Sequence, residues 1–333
     1  MSKIALVTTT INVPHVLKLY RKYGPNVEMF VAVERDSPIS LVDFLQTIDR
    51  CHVVFGYEYS CSELIGWRTI QRRNLALLEA VKWGADIIVS VDDDNTPLSP
   101  GYFHTFERLL TTPFFGLKAG GQWFNPGGLT VPPCLHRGLP FHCDYAEIDG
   151  VPAIGQKVGV AAGLWVGDPD IGAVSRAAGQ PLVKDLNAAG RAGVIVDPVS
   201  TTTVFNSQNT AFVRELAPLM MMWTGVGRYD DIFASLLCQC YMAWRGMCVH
   251  FGPPVVCQAR NPHTLQHDLE QEMYGMKTFQ LLAFCLLRHV PEKDDTALTF
   301  ARKTFESLAD FDYVIGPQMK TALAFCDDME QTL

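Results

Sequence analysis

The segment at residues 85–95 constrains the fold more than any other part of the chain. It is a short apolar run, rich in isoleucine and valine, that ends in three consecutive aspartates and an asparagine. A run of this length and composition predicts a buried strand. Three carboxylates at its end repel one another unless a cation lies among them, and Mg²⁺ or Mn²⁺ often bridges such carboxylates to nucleotide phosphates.

Open α/β sheets bind ligands at the carboxyl ends of their strands, which is where these aspartates would lie. The first hypothesis is therefore an enzyme that acts on a nucleotide sugar. The alternative is that residues 92–95 only cap a following loop or helix, because Asp and Asn are favoured at such positions.

The N-terminal half alternates strand and helix patterns, which is typical of a parallel, doubly wound sheet. Residues 116–198 are rich in Gly and Pro and predict active-site loops with a few strands. We expect an α/β fold in which a mixed, mostly parallel sheet is flanked by helices. Strands are predicted at residues 4–9, 27–34, 53–57 and 87–91, and helices at 14–23, 67–83, 230–245 and over the last fifty or so residues.

The bulk composition excludes several classes of protein. Hydrophobic residues make up 48% and charged residues 19% of the 333 residues, as in a soluble globular protein. We find no signal-peptide pattern and no uncharged apolar stretch of about 18 residues, so we expect no membrane span and a cytoplasmic location, in the host cell if the protein is viral. The ten scattered cysteines predict free thiols. A net charge of −8 argues against broad nucleic-acid affinity.

Four short segments carry a family pattern. They are Val7-Thr8-Thr9-Thr10-Ile11, Asp92-Asp93-Asp94, Gly163-Leu164-Trp165 and Gly227-Arg228-Tyr229-Asp230-Asp231. In this order they resemble the plant reversibly glycosylated polypeptides, also known as UDP-arabinopyranose mutases, which are nucleotide-sugar enzymes of the GT-A type. The resemblance implies a Rossmann-like GT-A domain for nucleotide-sugar binding and catalysis at residues 1–265, followed by a helical appendage at 266–333.

The resemblance also implies a UDP-sugar site at the ends of the strands. Asp92 and Asp94 would hold Mn²⁺ or Mg²⁺, with His263 as the candidate third ligand. Arg73 would approach the diphosphate, for which a guanidinium is well shaped, and its alternative is a solvent-exposed helix charge. The other residues implied in nucleotide-sugar binding are Thr8, Thr9, Thr10, Glu34, Asp36, Asp93, Gly163 and Trp165.

Asp230 and Asp231 stand at the start of an apolar helical segment. Two carboxylates there could simply cap the helix and offset its dipole. In a GT-A enzyme, a carboxylate at this point of the chain faces the acceptor and can remove a proton from the attacking hydroxyl. We assign Asp231 as the general base and Asp230 as an acceptor-binding residue, and the two roles could be exchanged.

One position departs from the family pattern. The mutases carry a reversibly glycosylated arginine in a Leu-Arg-Glu-Gly-Val-Pro context. The nearest match here, Glu147-Ile148-Asp149-Gly150-Val151-Pro152, has isoleucine in its place. Because Ile148 cannot accept a sugar, we favour a metal-dependent glycosyltransferase that passes sugar from a UDP-sugar to an external hydroxyl.

The acceptor is left open as a glycan, a small molecule, or a hydroxymethylated or glycosylated pyrimidine in viral DNA. A DNA acceptor would require a basic and aromatic surface, for which the candidates are Arg68, Arg72, Trp123, Arg137 and Arg260. The alternative functions are a UDP-arabinopyranose mutase-like isomerase and an inactive scaffold that binds nucleotide sugars. The sugar, the stereochemical outcome and the oligomeric state are also left open.

Overall fold

The computed structural model describes residues 2–141, 143–179, 182–261, 264–310 and 316–333. These residues form twelve strands: β1 (Ile4–Thr9), β2 (Glu28–Ala32), β3 (Cys51–Val54), β4 (Ile87–Val91), β5 (Asn95–Pro97), β6 (Phe114–Ala119), β7 (Thr130–Val131), β8 (Ile148–Gly167), β9 (Asp185–Leu186), β10 (Val194–Val196), β11 (Asn209–Val213) and β12 (Met247–Gln258). Ten of them make one sheet in the order β3-β2-β1-β4-β11-β8-β6-β10-β12-β5, and β7 pairs with β9 separately.

The sheet is mixed. Strands β3, β2, β1 and β4 are neighbours and run parallel. Strand β11 lies antiparallel between β4 and β8, and β8 also pairs in parallel with β12. The helices of the described chain are α1 (Val16–Tyr23), α2 (Ile39–Gln46), α3 (Cys61–Ile65), α4 (Arg73–Trp83), α5 (Tyr102–Thr111), α6 (Ala173–Ala177), α7 (Ala188–Ala192), α8 (Asp230–Arg245), α9 (Leu265–Leu286), α10 (Ala297–Ala309) and α11 (Gly316–Thr332).

Side-chain alternation along β1 explains why helices cover both faces of the sheet. Successive side chains of a strand point to opposite faces. Ala5 and Val7 belong to one hydrophobic cluster, which includes apolar residues of α4, α8, α9, α10 and α11. Ile4 and Leu6 belong to a second cluster, which includes apolar residues of α1, α2 and α5. The sheet is therefore buried on both sides.

The predicted fold class is confirmed as a large mixed sheet flanked by helices, with helices at the C-terminus. Strands β1 and β4 and helix α8 have the predicted bounds. The ten cysteines are free thiols, as predicted. Within the described chain, no helix is both long and apolar enough to cross a membrane.

One prediction of local structure is wrong. The helix predicted at 67–83 begins at Arg73, after a 3-10 turn, because Gly66 and Arg68 have φ angles of 81° and 59° that a helix does not tolerate. The middle of the chain has loops and a few strands, as predicted, and one of these strands, β8, spans 20 residues near the centre of the sheet. Its five glycines hide the strand pattern in the sequence.

The C-terminal helices pack on the same core as the sheet. In α11, the Asp328 carboxylate accepts hydrogen bonds from the backbone N–H groups of Ser60 and Cys61, at 2.9 and 2.8 Å, and so satisfies the start of α3. This contact joins residues that are more than 260 positions apart in the chain. The helical segment after residue 265 is thus tied directly to the N-terminal part of the fold.

We expect Asp328→Ala to lower the free energy of unfolding by about 1–3 kcal/mol, because two N–H groups at the start of α3, that of Cys61 being buried, lose a charged acceptor. Urea denaturation measures the change. The adjacent Asp327→Ala is the matched control. Asp327 pairs with Arg302 at the surface, so its loss should change stability by less than about 1 kcal/mol. Equal effects of the two substitutions would contradict the capping role.

Candidate active site

A cavity of about 430 Å³ brings together two of the motifs found in the sequence. Asp92, which follows β4, lines the cavity together with Asp230 and Asp231 at the start of α8. The rest of the wall comes from residues 68–71, from Ser207 and Gln208 before β11, from the segment before α8, from the first turns of α9, and from Arg137 and Asp170. Asp92 from the predicted metal-binding strand end and the predicted acceptor-side carboxylates therefore line one cavity.

A short segment before β11 connects the two groups of carboxylates. The carbonyl oxygen of Gln208 accepts a hydrogen bond from the Asp92 N–H at 3.0 Å. The neighbouring Ser207 donates its N–H and its hydroxyl to Asp231 Oδ2, at 2.9 and 3.1 Å. Because β11 pairs with β4, this segment is held beside the end of β4.

Each aspartate after β4 has a different partner. Asp92 accepts a hydrogen bond from Arg73 at 2.6 Å. Asp93 accepts one from the Thr10 hydroxyl at 2.5 Å. Asp94 accepts bonds from the Gln258 amide at 3.2 Å and from the backbone N–H of Asn261 at 3.3 Å.

Burial is the main cause of the raised pKa values of Asp93 and Asp94. It raises the pKa of Asp93 above its ordinary value. Burial, together with the negative charge of Asp92, raises the pKa of Asp94 to about 7. The Asp94 carboxyl group is therefore only partly ionised at neutral pH, because its negative charge is poorly compensated even though two amide groups contact it.

The donor atoms of Asp92 and Asp94 suit Mg²⁺ or Mn²⁺, which prefer carboxylate oxygens. The excess negative charge at Asp94 is a second feature that a cation would relieve. Among the described residues, however, no three His, Cys, Asp or Glu side chains are grouped so as to hold a metal ion. A nucleotide diphosphate would have to complete the coordination. The candidate third ligand, His263, lies outside the described residues, but it follows Asn261, which contacts Asp94.

Arg73 is buried and contacts Asp92, Ser90 and Ser207, so the alternative of a solvent-exposed helix charge is wrong. Its guanidinium lies at the strand end where a diphosphate was expected. Asp92 already neutralises the charge of the Arg73 guanidinium. In the absence of ligand, Arg73 therefore holds the Asp92 carboxylate in place.

Five of the residues implied in nucleotide-sugar binding lie at or just after the ends of β1 and β2, namely Thr8, Thr9, Thr10, Glu34 and Asp36. Glu34 accepts a hydrogen bond from the backbone N–H of Arg68, and Asp36 pairs with the Arg68 guanidinium, both at 2.6 Å. Arg68 lines the cavity, so these two carboxylates adjoin its rim. Thr8 is buried, and the Thr9 hydroxyl bonds to the carbonyl of Ala32 within the sheet.

Gly163 and Trp165 are not brought to the cavity. Both lie in β8, where Trp165 is buried in the core. A Cβ atom at Gly163 would lie 2.4 Å from the side chain of Asn209 and from the carbonyl of Pro254, so this glycine allows close packing inside the sheet. The Gly-Leu-Trp motif therefore has a packing role in this structure, which corrects the nucleotide-sugar-binding role expected for it.

The two aspartates at the start of α8 differ in their hydrogen bonds. Asp231 accepts from Ser207 and, at 3.4 Å, from Arg137. Asp230 accepts from the Gln71 amide at 2.6 Å and from the N–H of Asp231 at 2.9 Å. Burial, and then the adjacent charge of Asp231, raise the pKa of Asp230 above that of an ordinary aspartate.

A network of ion pairs, which sequence reasoning missed, forms one side of the cavity. Asp170 is its centre and pairs with Arg137, Arg228 and Arg260. Arg228 also pairs with Glu272 of α9 at 3.0 Å. Burial alone would raise the pKa of Asp170, but the three guanidinium groups hold it well below its usual range. Asp170 stands two residues after Asp168 and Glu272 two residues after Glu270, and neither local pattern indicates these long-range pairs.

The prediction of a basic and aromatic surface for a DNA acceptor is wrong, because most of the candidate residues are buried. Arg72, Trp123 and Arg137 are buried, and the Arg260 side chain is 6% exposed. Of the five candidates only Arg68 has an exposed side chain. These residues do not form a basic and aromatic surface.

Helix α9 approaches the cavity closely because Gly275 has no side chain. A Cβ atom at this position would lie 2.0 Å from the ring of Tyr229. We expect Gly275→Ala to lower the free energy of unfolding by about 1–3 kcal/mol and to displace α9 from the cavity wall. Thermal denaturation measures the loss. Gly128→Ala is the control, since no atom lies within 4 Å of a Cβ at Gly128, and a loss of similar size there would contradict this account.

No protein-family model and no curated protein matches the chain. Among solved structures, the chain is similar to a mannosyltransferase from Pyrobaculum calidifontis in complex with GDP-Man and Mn²⁺. The sequence identity is 12% and the TM-score is 0.40, and the alignment covers 99% of this chain and 86% of that one. At this level of similarity the comparison assigns neither a family nor a substrate.

Proposed function

We propose that the protein is a GT-A-type glycosyltransferase that moves a sugar from a UDP-sugar to an external hydroxyl acceptor. The observation that carries the proposal is the single cavity lined by Asp92 from the end of β4 and by Asp230 and Asp231 from the start of α8. A transferase must hold the diphosphate and the acceptor hydroxyl together at the sugar carbon that reacts. One cavity with carboxylates from both elements meets that requirement.

Asp92 and Asp94 would hold Mn²⁺ or Mg²⁺ at the diphosphate. When bound, such an ion neutralises negative charge on the leaving nucleoside diphosphate. Arg73 and Thr10 fix the carboxylates of Asp92 and Asp93, so the strand end is ordered before a donor arrives. Glu34 is suited to accept hydrogen bonds from ribose hydroxyls at the rim.

The contacts at the start of α8 favour the exchanged roles, with Asp230 as the general base. A carboxylate with a raised pKa accepts a proton more readily than one stabilised by charge-assisted hydrogen bonds. Asp231 accepts two bonds from Ser207 and one from Arg137, which suits a positioning role. In the reaction, the acceptor oxygen bonds to the anomeric carbon, its proton passes to Asp230, and the bond to the diphosphate oxygen breaks with its electron pair.

The mutase alternative receives no support from the position of Ile148. Its backbone pairs with Ala119 in the sheet, and its side chain packs against the hydrophobic core. It does not line the cavity. A scaffold function has no need of a buried carboxylate pair at Asp230 and Asp231, because buried like charges destabilise a fold.

The test is UDP release with Mn²⁺ from a panel of UDP-sugars, with and without hydroxyl acceptors. The panel of acceptors includes glycans, small molecules and hydroxymethylated DNA. We expect release that depends on one acceptor class. Pyranose–furanose interconversion without acceptor would instead establish the mutase, and binding without release under every condition would establish the scaffold.

A further inference from the structure

Gln208 is a buried residue of the cavity wall whose side-chain amide has no partner. Its relative exposure is 2%, and neither its Oε1 nor its Nε2 has a hydrogen-bond partner among the described residues. A buried amide without partners is unfavourable, so we expect a ligand or an ordered water to form hydrogen bonds with it. Gln208 also lines the cavity.

The backbone fixes this residue between the two halves of the site. The Gln208 carbonyl accepts from the Asp92 N–H at 3.0 Å and from the Asn95 side chain at 2.7 Å. The preceding residue, Ser207, is bonded to Asp231. The transferred sugar must lie between the diphosphate at Asp92 and the base at the start of α8, which is the position of Gln208.

We propose that the Gln208 amide binds hydroxyl groups of the donor sugar and determines which sugar the enzyme accepts. This inference rests on the proposed function. An amide offers both a donor and an acceptor, so it pairs with two neighbouring hydroxyls and discriminates against a sugar that lacks one of them. The class of ligand is therefore a nucleotide-linked pyranose or furanose with free hydroxyls.

A second buried glutamine supplies a matched control. Gln239 has the same exposure of 2%, but its amide is fully bonded, accepting from the Thr203 N–H and donating to the carbonyls of Thr203 and Ser235. Methionine is close in size to glutamine and has no amide. Gln239→Met should therefore lose structural hydrogen bonds, whereas Gln208→Met should lose none within the described protein.

The experiment compares both variants with the wild type. Urea denaturation without ligand should show Gln208→Met as stable as the wild type or more so, and Gln239→Met as less stable. Gln208→Met should raise KM for the accepted UDP-sugar by about 10-fold, while its Kd for UDP alone stays unchanged. It should also turn over the sugar and its deoxy analogue at more nearly equal rates, whereas Gln239→Met should keep the wild-type preference.

The outcomes separate this inference from the proposed function. If the wild type transfers sugar but Gln208→Met keeps both its KM and its preference over deoxy sugars, the inference alone is overturned. A marked loss of stability in ligand-free Gln208→Met would identify a structural residue and overturn it too. If the wild type turns over no nucleotide sugar, both the proposed function and the inference fail.

Discussion

Replacing Asp230 by asparagine is expected to lower kcat by about 100- to 10,000-fold, because the acceptor hydroxyl loses its general base. The side chain keeps its size, and its amide oxygen can still accept from the N–H of Asp231, which now contacts Asp230 at 2.9 Å. Binding of UDP-sugar should change little, since the proposed function assigns Asp230 to the acceptor and not to the donor. Steady-state kinetics with saturating donor and acceptor measure the effect.

The pH profile gives an independent check on the role of Asp230. Burial and the charge of Asp231 raise its pKa above the ordinary value, so the acid limb of kcat should lie at higher pH than for an exposed aspartate. The residual activity of Asp230→Asn should lack this limb. If the acid limb persisted unchanged in Asp230→Asn, the general base would be another residue.

Asp230→Asn should lower the activity without lowering the stability of the protein. A group whose folded-state pKa is raised contributes stability that is lost as pH rises through that pKa. Asp230→Asn removes a buried negative charge next to Asp231, so at pH 8 the variant should be at least as stable as the wild type.

Asp231→Asn is the comparison variant, because it weakens the contacts with Ser207 and Arg137. That variant should be less stable than Asp230→Asn. If Asp231→Asn instead showed the larger loss of kcat with no loss of stability, the original assignment of Asp231 as base would be restored.

The sequence predicted those parts of the site that follow directly from a strand or helix end. Asp92 stands one residue after β4, and Asp230 begins α8, so local periodicity placed both correctly. Their meeting in one cavity depends on the order of strands in the sheet. Here β11 lies between β4 and β8, and no local pattern reveals that order.

Other residues were missed because their role comes only from tertiary contacts. Asp170 lies in a loop, and its position at the centre of three arginines requires segments that are distant in the chain. The same argument explains the error over Arg137, which as a charged residue was expected at the surface but is buried by its ion pairs. Nothing in the sequence around Gln208 indicates a functional residue, since only the structure shows that its amide lacks hydrogen-bond partners.

Binding of Mn²⁺ is expected to raise the melting temperature more at pH 8 than at pH 5.5, and Asp94→Asn should abolish this difference. The pKa of Asp94 is raised to about 7 by burial and by Asp92. Below that pH the carboxyl group is largely protonated in the folded protein and competes poorly for a cation. Above it, the ionised group destabilises the metal-free fold, so stability without metal should fall as pH rises through about 7. A bound cation reverses that loss, and below that pH its binding displaces the proton of Asp94.

Asp94→Asn removes the charge that both effects require. Without metal, the variant should be more stable than the wild type at pH 8 and closer to it at pH 5.5. Its affinity for Mn²⁺, measured directly from the free ion by electron paramagnetic resonance, should fall by at least about 10- to 100-fold, since even outer-shell residues contribute that much. Asp43→Asn, at an exposed position on α2, is the control and should change neither quantity. Unaltered Mn²⁺ affinity in Asp94→Asn would show that the ion binds elsewhere, and the role of the strand end would then be to position Arg73 and the backbone of Gln208.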